Sequence, residues 1–181
     1  FSVLRVKAHI QKKEIKMKIN TSCPVLVTGA TGYIAGWVVK NLLDKGITVH
    51  APIRNLSNKE KRAHLDELAE NSSGQIKYFE SDLLIENSYE EAMKGCELVI
   101  HTASPFVMDS KDPQKEVIDP ALIGTQNVLK TVNEVESVKR VVLTSSVAAI
   151  YGNGVDAQSV DGGIFNESKK SESALLIIAK K

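Results

Sequence analysis

The sequence predicts an α/β protein with a doubly wound parallel sheet, and two observations support this prediction. Short, nearly continuous apolar runs alternate along the chain with longer amphipathic segments. Such alternation is typical of parallel strands joined by helices that cover both faces of the sheet. In addition, the apolar run that begins at Val25 is followed by a glycine turn and then by a helical pattern. Right-handed connections of this kind give the doubly wound arrangement.

Five apolar runs are predicted to form the strands of the sheet. The first begins at Val25, and the others cover residues 47–53, 76–79, 97–101 and 138–145. Helical patterns separate most of these runs, so the strand order expected for the sheet is 3-2-1-4-5.

The first predicted helix begins near Tyr33 and stops at Gly46, because glycine is favoured just after the end of a helix. Its apolar face is predicted to consist of Ile34, Val38 and Leu42, which are spaced four residues apart.

Two further helices are expected to open with capping boxes, in which a serine and a glutamate satisfy the first free N–H groups. The first box is Ser57-Asn-Lys-Glu60, and its helix runs to about Ala69. The second is Ser88-Tyr-Glu-Glu91, before a short helix that ends at Gly95.

A long helical pattern occupies residues 113–135. The pair Asp119-Pro120 lies inside it, and two interpretations remain open. It marks either an N-cap with proline at the first helical position or a kink.

The glycine turn has the spacing Gly29-x-x-Gly32-x-x-Ala35. Gly29 permits a tight turn, and Gly32 allows close approach of the backbone because it has no Cβ. The helix that starts near Tyr33 would direct its free N–H groups at a pyrophosphate. Ala35 satisfies the need for a small residue where helix and strand pack closely. This context predicts a dinucleotide site on a Rossmann-like sheet.

Polar side chains that follow the second and third strands are candidates for the rest of this site. Arg54 lies where the ribose 2′ position of the dinucleotide falls, and an arginine there favours a 2′-phosphate, and hence NADP. Lys61 would add a second cation. Asp82 and Leu83 are candidates for contacts with the adenine, although an aspartate that caps a turn is an equally ordinary interpretation.

The ends of the fourth and fifth strands supply the remaining candidates. Thr102, Ala103 and Ser104 follow the fourth strand at its carboxyl end, where open α/β sheets bind ligands. His101 fits a structural role better than that of a base. Ser146 ends the fifth strand, where its hydroxyl would polarise a carbonyl that receives a hydride.

The domain organisation follows from composition. Residues 1–20 carry six basic side chains and one acidic side chain, and we expect a disordered or non-native leader, with the natural start near Met17. A basic arm that binds a partner is the alternative. Residues 21–151 are the expected NADP-binding domain, and residues 152–181 an irregular tail whose apolar residues are compatible with a terminal helix.

The overall composition argues against several classes of protein. The net charge of +1 argues against nucleic acid or an acidic membrane as the main partner. No apolar run approaches the ~18 residues of a membrane span. The four histidines have no ligand spacing, so we expect no metal. Cys23 and Cys96 match no disulfide framework, which favours a reducing, cytoplasmic location.

Taken together, these residues resemble the extended short-chain dehydrogenase/reductase superfamily, and within it the dihydroflavonol 4-reductase and cinnamoyl-CoA reductase group. The similarity extends from Val25 to about Tyr151. The matching stretches are Val27-Thr-Gly-Ala-Thr-Gly-Tyr-Ile-Ala35, Arg54 with Lys61, Asp82-Leu83, Gly95-Cys96, His101-Thr-Ala-Ser-Pro105, Asp112-Pro113, Pro120, Gly124-Thr125, Asn127-Val-Leu129 and Lys139-Arg-Val-Val-Leu-Thr-Ser-Ser146.

The resemblance implies NADPH-dependent reduction of a ketone, aldehyde or thioester carbonyl on a small, often phenolic or aromatic, substrate. It implies that Ser146 is the catalytic serine. The residues implied to bind NADP(H) are Gly29, Thr31, Gly32, Tyr33, Ile34, Arg54, Lys61, Asp82, Leu83, Thr102 and Ala103.

The chain departs from this group after the fifth strand. The catalytic Tyr-x-x-x-Lys of the superfamily has no counterpart, since no tyrosine of the sequence is followed by lysine four residues later. We therefore expect a Rossmann-like sheet that is truncated after about the fifth strand, and a fragment without activity. Two alternatives stay open: a non-catalytic NADP-binding or regulatory protein, and an epimerase, dehydratase or hydroxysteroid dehydrogenase on the same fold.

Overall fold

The computed structural model of the chain describes residues 20–105, 109–146, 155, 158 and 160–163. This part of the chain contains a parallel sheet in the order β3-β2-β1-β4-β5, which confirms the predicted fold class and strand order. The strands are β1 (Val25–Thr28), β2 (Thr48–Ile53), β3 (Gln75–Glu80), β4 (Leu98–His101) and β5 (Arg140–Leu143).

Helices lie on both faces of the sheet. In the described part of the chain they are α1 (Tyr33–Leu43), α2 (Lys59–Glu70), α3 (Glu90–Met93) and α4 (Asp119–Glu134). A π-helical turn (Gln114–Ile118) leads into α4, and a short 3₁₀ turn (Asp161–Gly163) follows later.

The core has two layers because successive side chains of a strand point to opposite faces. On β1, Val25 and Val27 pack with α1 and α2, whereas Leu26 packs with α3 and α4. On β4, Leu98 belongs to the first layer and Val99 to the second. Both faces of the central strands are therefore apolar, which explains the continuous apolar runs in the sequence.

The predicted apolar face of α1 is wrong in part. The fully buried residues of α1 are Ala35, Val39 and Leu43, one position further along the helix than predicted. The side chain of Ile34 is 62% exposed. The helix lies with the small residue Ala35 against the sheet, and a methyl side chain there permits a close approach of helix and strand. The rest of the predicted stripe, Val38 and Leu42, packs only partly against the core.

Both predicted capping boxes are wrong. Asn58, not Ser57, is the N-cap of α2, and its side-chain oxygen accepts a hydrogen bond of 3.1 Å from the N–H of Lys61. The Ser88 hydroxyl is engaged elsewhere, because it donates to the backbone carbonyl of Asp82 at 2.6 Å. Helix α3 starts after Tyr89 without a side-chain cap.

The structure excludes one of the two interpretations of Asp119-Pro120, that of an N-cap at Asp119. Asp119 has helical dihedral angles, and its carboxylate accepts a hydrogen bond from the side chain of Gln114. It is therefore not an N-cap. Pro120 lies at the point where the π-helical turn changes to α-helix, and the altered hydrogen-bonding pattern there suits a residue that has no N–H.

Some of the sequence predictions lie outside the described residues. These are the leader over residues 1–19, Tyr151, and nearly all of the tail over residues 152–181. The domain boundaries at residues 20 and 151 therefore stay predictions.

Candidate nucleotide-binding site

A groove of about 960 Å³ crosses the carboxyl ends of β1, β2, β3 and β4. From β1 the chain proceeds to one side of the sheet, and from β4 to the other, so the groove lies at the point where ligands of open α/β sheets bind. All of the residues predicted to bind the cofactor line this groove, except Tyr33 and Ile34. Those that line it are Gly29, Thr31, Gly32, Arg54, Lys61, Asp82, Leu83, Thr102 and Ala103.

The turn after β1 requires glycine at its first position. Gly29 has φ +68°, in the left-handed region. A Cβ at this position would lie 3.0 Å from the backbone Cα of Ala103. The N–H of Gly32 donates to the carbonyl of Gly29 at 2.8 Å and closes the turn. The loop between β1 and α1 is thereby pressed against the end of β4 and forms one wall of the groove.

Helix α1 begins directly after this turn. Gly32 is its N-cap and offers no side chain to cap the helix. The side chain of Tyr33 is 84% exposed, and those of Tyr33 and Ile34 line a separate depression on the outer surface of α1. The backbone N–H groups of the first turn are therefore what this helix offers to a phosphate, and the side chains of these two residues contribute nothing to the groove wall.

A threonine that the sequence analysis did not single out joins β1 to β4. The Thr28 hydroxyl accepts hydrogen bonds from the N–H groups of Thr102, at 3.1 Å, and Ala103, at 3.0 Å. It also lies 2.7 Å from Nδ1 of His101. Since two donors already occupy the hydroxyl oxygen, its proton is donated to this nitrogen. His101 is thus buried and neutral, as the structural interpretation predicts.

The two buried histidines make stability depend on pH. Burial lowers the pKa of His101. Burial also lowers the pKa of His50, helped by the charge of Lys77 and opposed by the hydrogen bond to the carbonyl of Ala92. In the unfolded chain these two histidines take up protons near pH ~6.5, whereas in the folded chain they do so only at lower pH. We therefore expect the free energy of unfolding to fall as the pH falls below about 6.5.

Urea unfolding at about pH 7.5 and about pH 5.5 measures this dependence, in a window above the main titration of carboxylates. His101→Gln should reduce the difference between the free energies of unfolding measured at the two pH values. His64→Gln removes an exposed histidine and serves as the control. An equal pH dependence in wild type and both variants would contradict the assignment.

Basic and amide side chains gather at the end of β2 and the start of α2. Arg54 and Lys61 are exposed and line the groove, together with Asn55 and Asn58. Because the N-cap Asn58 holds the N–H of Lys61, the first turn of α2 is fixed beside the end of β2. This corner of the groove has the charge that an anionic group requires.

A third basic residue of this region, Arg62, was missed by the sequence analysis. Its guanidinium lies over the ring of Tyr78, 4.5 Å from the centroid. Its Nε is 3.5 Å from the carboxylate of Asp66, an ion pair without hydrogen-bond geometry. The Tyr78 hydroxyl donates to the same carboxylate at 2.6 Å. These contacts hold α2 against β3 and depend on residues that no local motif connects.

The turn after β3 is already formed by the protein's own hydrogen bonds. Oδ1 of Asp82 accepts the N–H of Leu84 at 2.8 Å, and the Ser88 hydroxyl bonds both backbone groups of Asp82. The side chain of Asn127 in α4 donates to the carbonyl of Leu83 at 2.8 Å. The aspartate therefore caps a turn, as the ordinary interpretation holds, and it also lines the groove.

Tyr89 closes the floor of the groove below this turn. Only 4% of the residue is exposed, yet it lines the groove with Asp82 and Arg54. Burial and then the charge of Asp82 raise the pKa of the Tyr89 hydroxyl, while the charge of Arg54 opposes that rise. The hydroxyl is thus a neutral donor.

Ser146 lies three residues beyond the end of β5 and is exposed. It is not among the residues that line the groove. The catalytic role of Ser146 therefore stays a prediction.

Two further observations concern classes of site. Within the described residues, no group of three or more histidine, cysteine, aspartate or glutamate side chains is arranged to hold a metal ion. None of the helices in those residues is long and apolar enough to cross a membrane.

The sequence pattern of the NAD dependent epimerase/dehydratase family matches residues 25–169, which is most of the chain. The chain belongs to this family. Among curated relatives, the cinnamoyl-CoA reductase CAD2 of Medicago truncatula is 49% identical over 130 residues, which cover 72% of this chain and 40% of the relative. An anthocyanidin reductase of Vitis vinifera is 40% identical over 160 residues, covering 88% of this chain and 45% of the relative. This family member therefore spans less than half the length of these relatives.

Solved structures of reductases have the same fold. Gre2 of Candida albicans, solved in complex with NADPH, superposes with a TM-score of 0.62 at 33% identity, over 73% of this chain and 40% of that protein. Vestitone reductase of alfalfa (Medicago sativa) superposes with a TM-score of 0.61 at 28% identity, over 85% and 44% of the two chains.

Proposed function

We propose that the chain binds NADP(H) in the groove and is the cofactor-binding portion of a reductase that acts on a carbonyl group of a small phenolic or aromatic substrate. The observation that carries the proposal is the position of the groove, which brings the glycine turn, Arg54, Asp82 and the end of β4 to one edge of the sheet. The NADPH complex of a related Gre2 supports the choice of cofactor.

The residues present fit this cofactor. The glycine turn packs directly on the end of β4, where a Cβ on Gly29 would lie 3.0 Å from the backbone of Ala103, and the uncapped N-terminus of α1 follows it. This turn and the first turn of α1 form a backbone cradle at the groove. We assign the pyrophosphate to this cradle, where backbone N–H groups bind it. We assign the 2′-phosphate to Arg54 and Lys61, and the adenine to Asp82 and the turn after it.

The substrate class rests on the relatives. They are reductases of cinnamoyl-CoA, anthocyanidin and dihydroflavonol, whose substrates all carry aromatic rings. NADPH supplies the hydride in such a reaction. The chain's own contribution would be to bind and orient the cofactor and, through Ser146, to donate a hydrogen bond to the carbonyl oxygen.

The proposal is tested by calorimetric titration of the chain with NADPH and NADH. We expect binding of both, with NADPH the tighter ligand. Absence of binding by either nucleotide would overturn the proposal for this chain.

We also expect the chain to be catalytically incompetent, because its sequence has no Tyr-x-x-x-Lys. Loss of the proton donor alone costs a factor of roughly 10² to 10⁴ in rate. NADPH oxidation with cinnamaldehyde or a dihydroflavonol, followed at the absorbance of NADPH, should not exceed the rate without protein. Oxidation above that rate would contradict this expectation.

A second candidate is a non-catalytic NADP-binding or regulatory protein, which the absent Tyr-x-x-x-Lys favours because a fold does not imply catalysis. Sequencing the gene beyond the last matching codon separates the two candidates. A Tyr-x-x-x-Lys close downstream, in any frame, supports the reductase. Its absence there supports the binding protein.

A further inference from the structure

A buried serine hydroxyl in the wall of the groove has no hydrogen-bond partner among the described residues. Ser81 directly follows β3 and is only 5% exposed. Its N–H donates to the carbonyl of Ile53 at 2.9 Å, but none of the described residues bonds its Oγ. Buried polar groups are nearly always paired, and one that is not requires an explanation. Ser81 is not among the residues predicted to bind the cofactor.

The position of Ser81 connects this hydroxyl with the groove. The residue lines the groove beside Asp82, Leu83 and Tyr89. Its backbone is fixed on both sides, by the bond to Ile53 and by the bonds that hold Asp82 in its turn. Rotation about the Cα–Cβ bond is therefore the motion that remains, and a serine has three staggered positions about this bond.

Recognition of adenine in this wall requires both a hydrogen-bond acceptor and a hydrogen-bond donor, and Asp82 can supply only the acceptor. Oδ1 of Asp82 is occupied by the N–H of Leu84, which leaves Oδ2 to accept a bond from the exocyclic amino group. A carboxylate has no proton to give to the ring nitrogens of adenine, which are acceptors. A hydroxyl does. Ser81 is the adjacent residue, and its hydroxyl has no partner within the part of the chain that the structure describes.

We propose that the Ser81 hydroxyl turns into the groove and donates a hydrogen bond to a ring nitrogen of the cofactor's adenine, which makes Ser81 an adenine-specificity residue. The inference rests on the proposed function, because it requires the adenosine half of NADP(H) in the groove.

The test uses adenosine 2′,5′-bisphosphate, which is that half of the cofactor. Ser81→Ala should raise its Kd by about 2- to 10-fold, the effect of losing one neutral hydrogen bond. The thermal midpoint of the ligand-free protein should stay the same or rise, because the substitution removes an unpaired buried hydroxyl. Ser57→Ala removes an exposed hydroxyl outside the groove and should change neither quantity.

Ligand analogues show whether the change in Kd reflects a direct contact between Ser81 and the adenine. We would titrate the 1-, 3- and 7-deaza analogues, in each of which a CH replaces one ring nitrogen. With wild type, one analogue should bind more weakly than the parent ligand, and with Ser81→Ala that difference should disappear. A purely structural role of Ser81 would leave the difference the same in both proteins.

Each other outcome overturns the inference. If wild type and Ser81→Ala bound the bisphosphate with equal affinity, the inferred hydrogen bond would be refuted, and the proposed function would be unaffected. A weaker variant that discriminates among the analogues as wild type does assigns Ser81 a structural role only. Failure of wild type to bind the bisphosphate refutes the proposed function as well.

Discussion

Arg54→Ala is expected to weaken NADP(H) binding by about 10- to 150-fold and to leave NAD(H) binding nearly unchanged. Arg54 is exposed, follows β2 and lines the groove at the corner assigned to the 2′-phosphate. Hydrogen bonds from a guanidinium to a phosphate are charge-assisted and contribute about 1.5–3 kcal/mol. NAD(H) has no 2′-phosphate, so it has no such contact to lose. Calorimetric titration with both cofactors measures the two affinities.

Lys59→Ala is the matched control for this substitution. Lys59 is an exposed cation at the start of α2, close in sequence to Lys61, but it does not line the groove. Its removal should change the affinity for NADP(H) only slightly, whereas Lys61→Ala should have an intermediate effect. If Arg54→Ala weakened both cofactors equally, Arg54 would support the fold rather than read the phosphate. An unchanged affinity for NADP(H) would refute its role.

The fold was predictable because its signals are local. A parallel sheet imposes continuous apolar runs, and the glycine turn after Val25–Thr28 marks the first crossover. Details that depend on competition between neighbouring groups were not predictable. Asn58 replaces Ser57 as the N-cap because both side chains can cap a helix, and only the final path of the chain decides between them. The orientation of α1 likewise follows from Ala35 packing against the sheet, which the spacing of larger apolar residues does not reveal.

Some residues of the candidate site were likewise predictable from the sequence, and others were not. Gly29, Arg54 and Asp82 follow strands directly, so their sequence positions already place them at one edge of the sheet. Thr28 and Ser81 were missed, because their importance lies in partners that are distant or absent. The N–H groups that bind the Thr28 hydroxyl belong to residues 74 and 75 positions away. A hydroxyl without a partner leaves no pattern in the sequence.

Gly29→Ala should both destabilise the fold and prevent cofactor binding. The left-handed conformation of Gly29, at φ +68°, costs a residue with a side chain about 1–2 kcal/mol. A further cost comes from the clash, because the new Cβ would lie 3.0 Å from the backbone of Ala103, which cannot move as a flexible side chain does. Any shift that relieves the clash widens the contact between the glycine turn and the end of β4. We expect a lower free energy of unfolding in urea and loss of detectable NADPH binding by calorimetry.

Gly95→Ala isolates the cost of the backbone conformation. Gly95 has φ +78°, but among the described residues no atom beyond its two chain neighbours lies within 4 Å of a Cβ added there, and the residue is outside the groove. This variant should therefore lose about 1–2 kcal/mol of stability and keep its affinity for NADPH. The additional loss in Gly29→Ala then measures the contact with Ala103. If the two variants were equally stable and both bound NADPH as wild type does, the glycine turn would not be the pyrophosphate cradle. Because the control has the same strain, a folded Gly29→Ala protein that does not bind NADPH has lost the cradle itself.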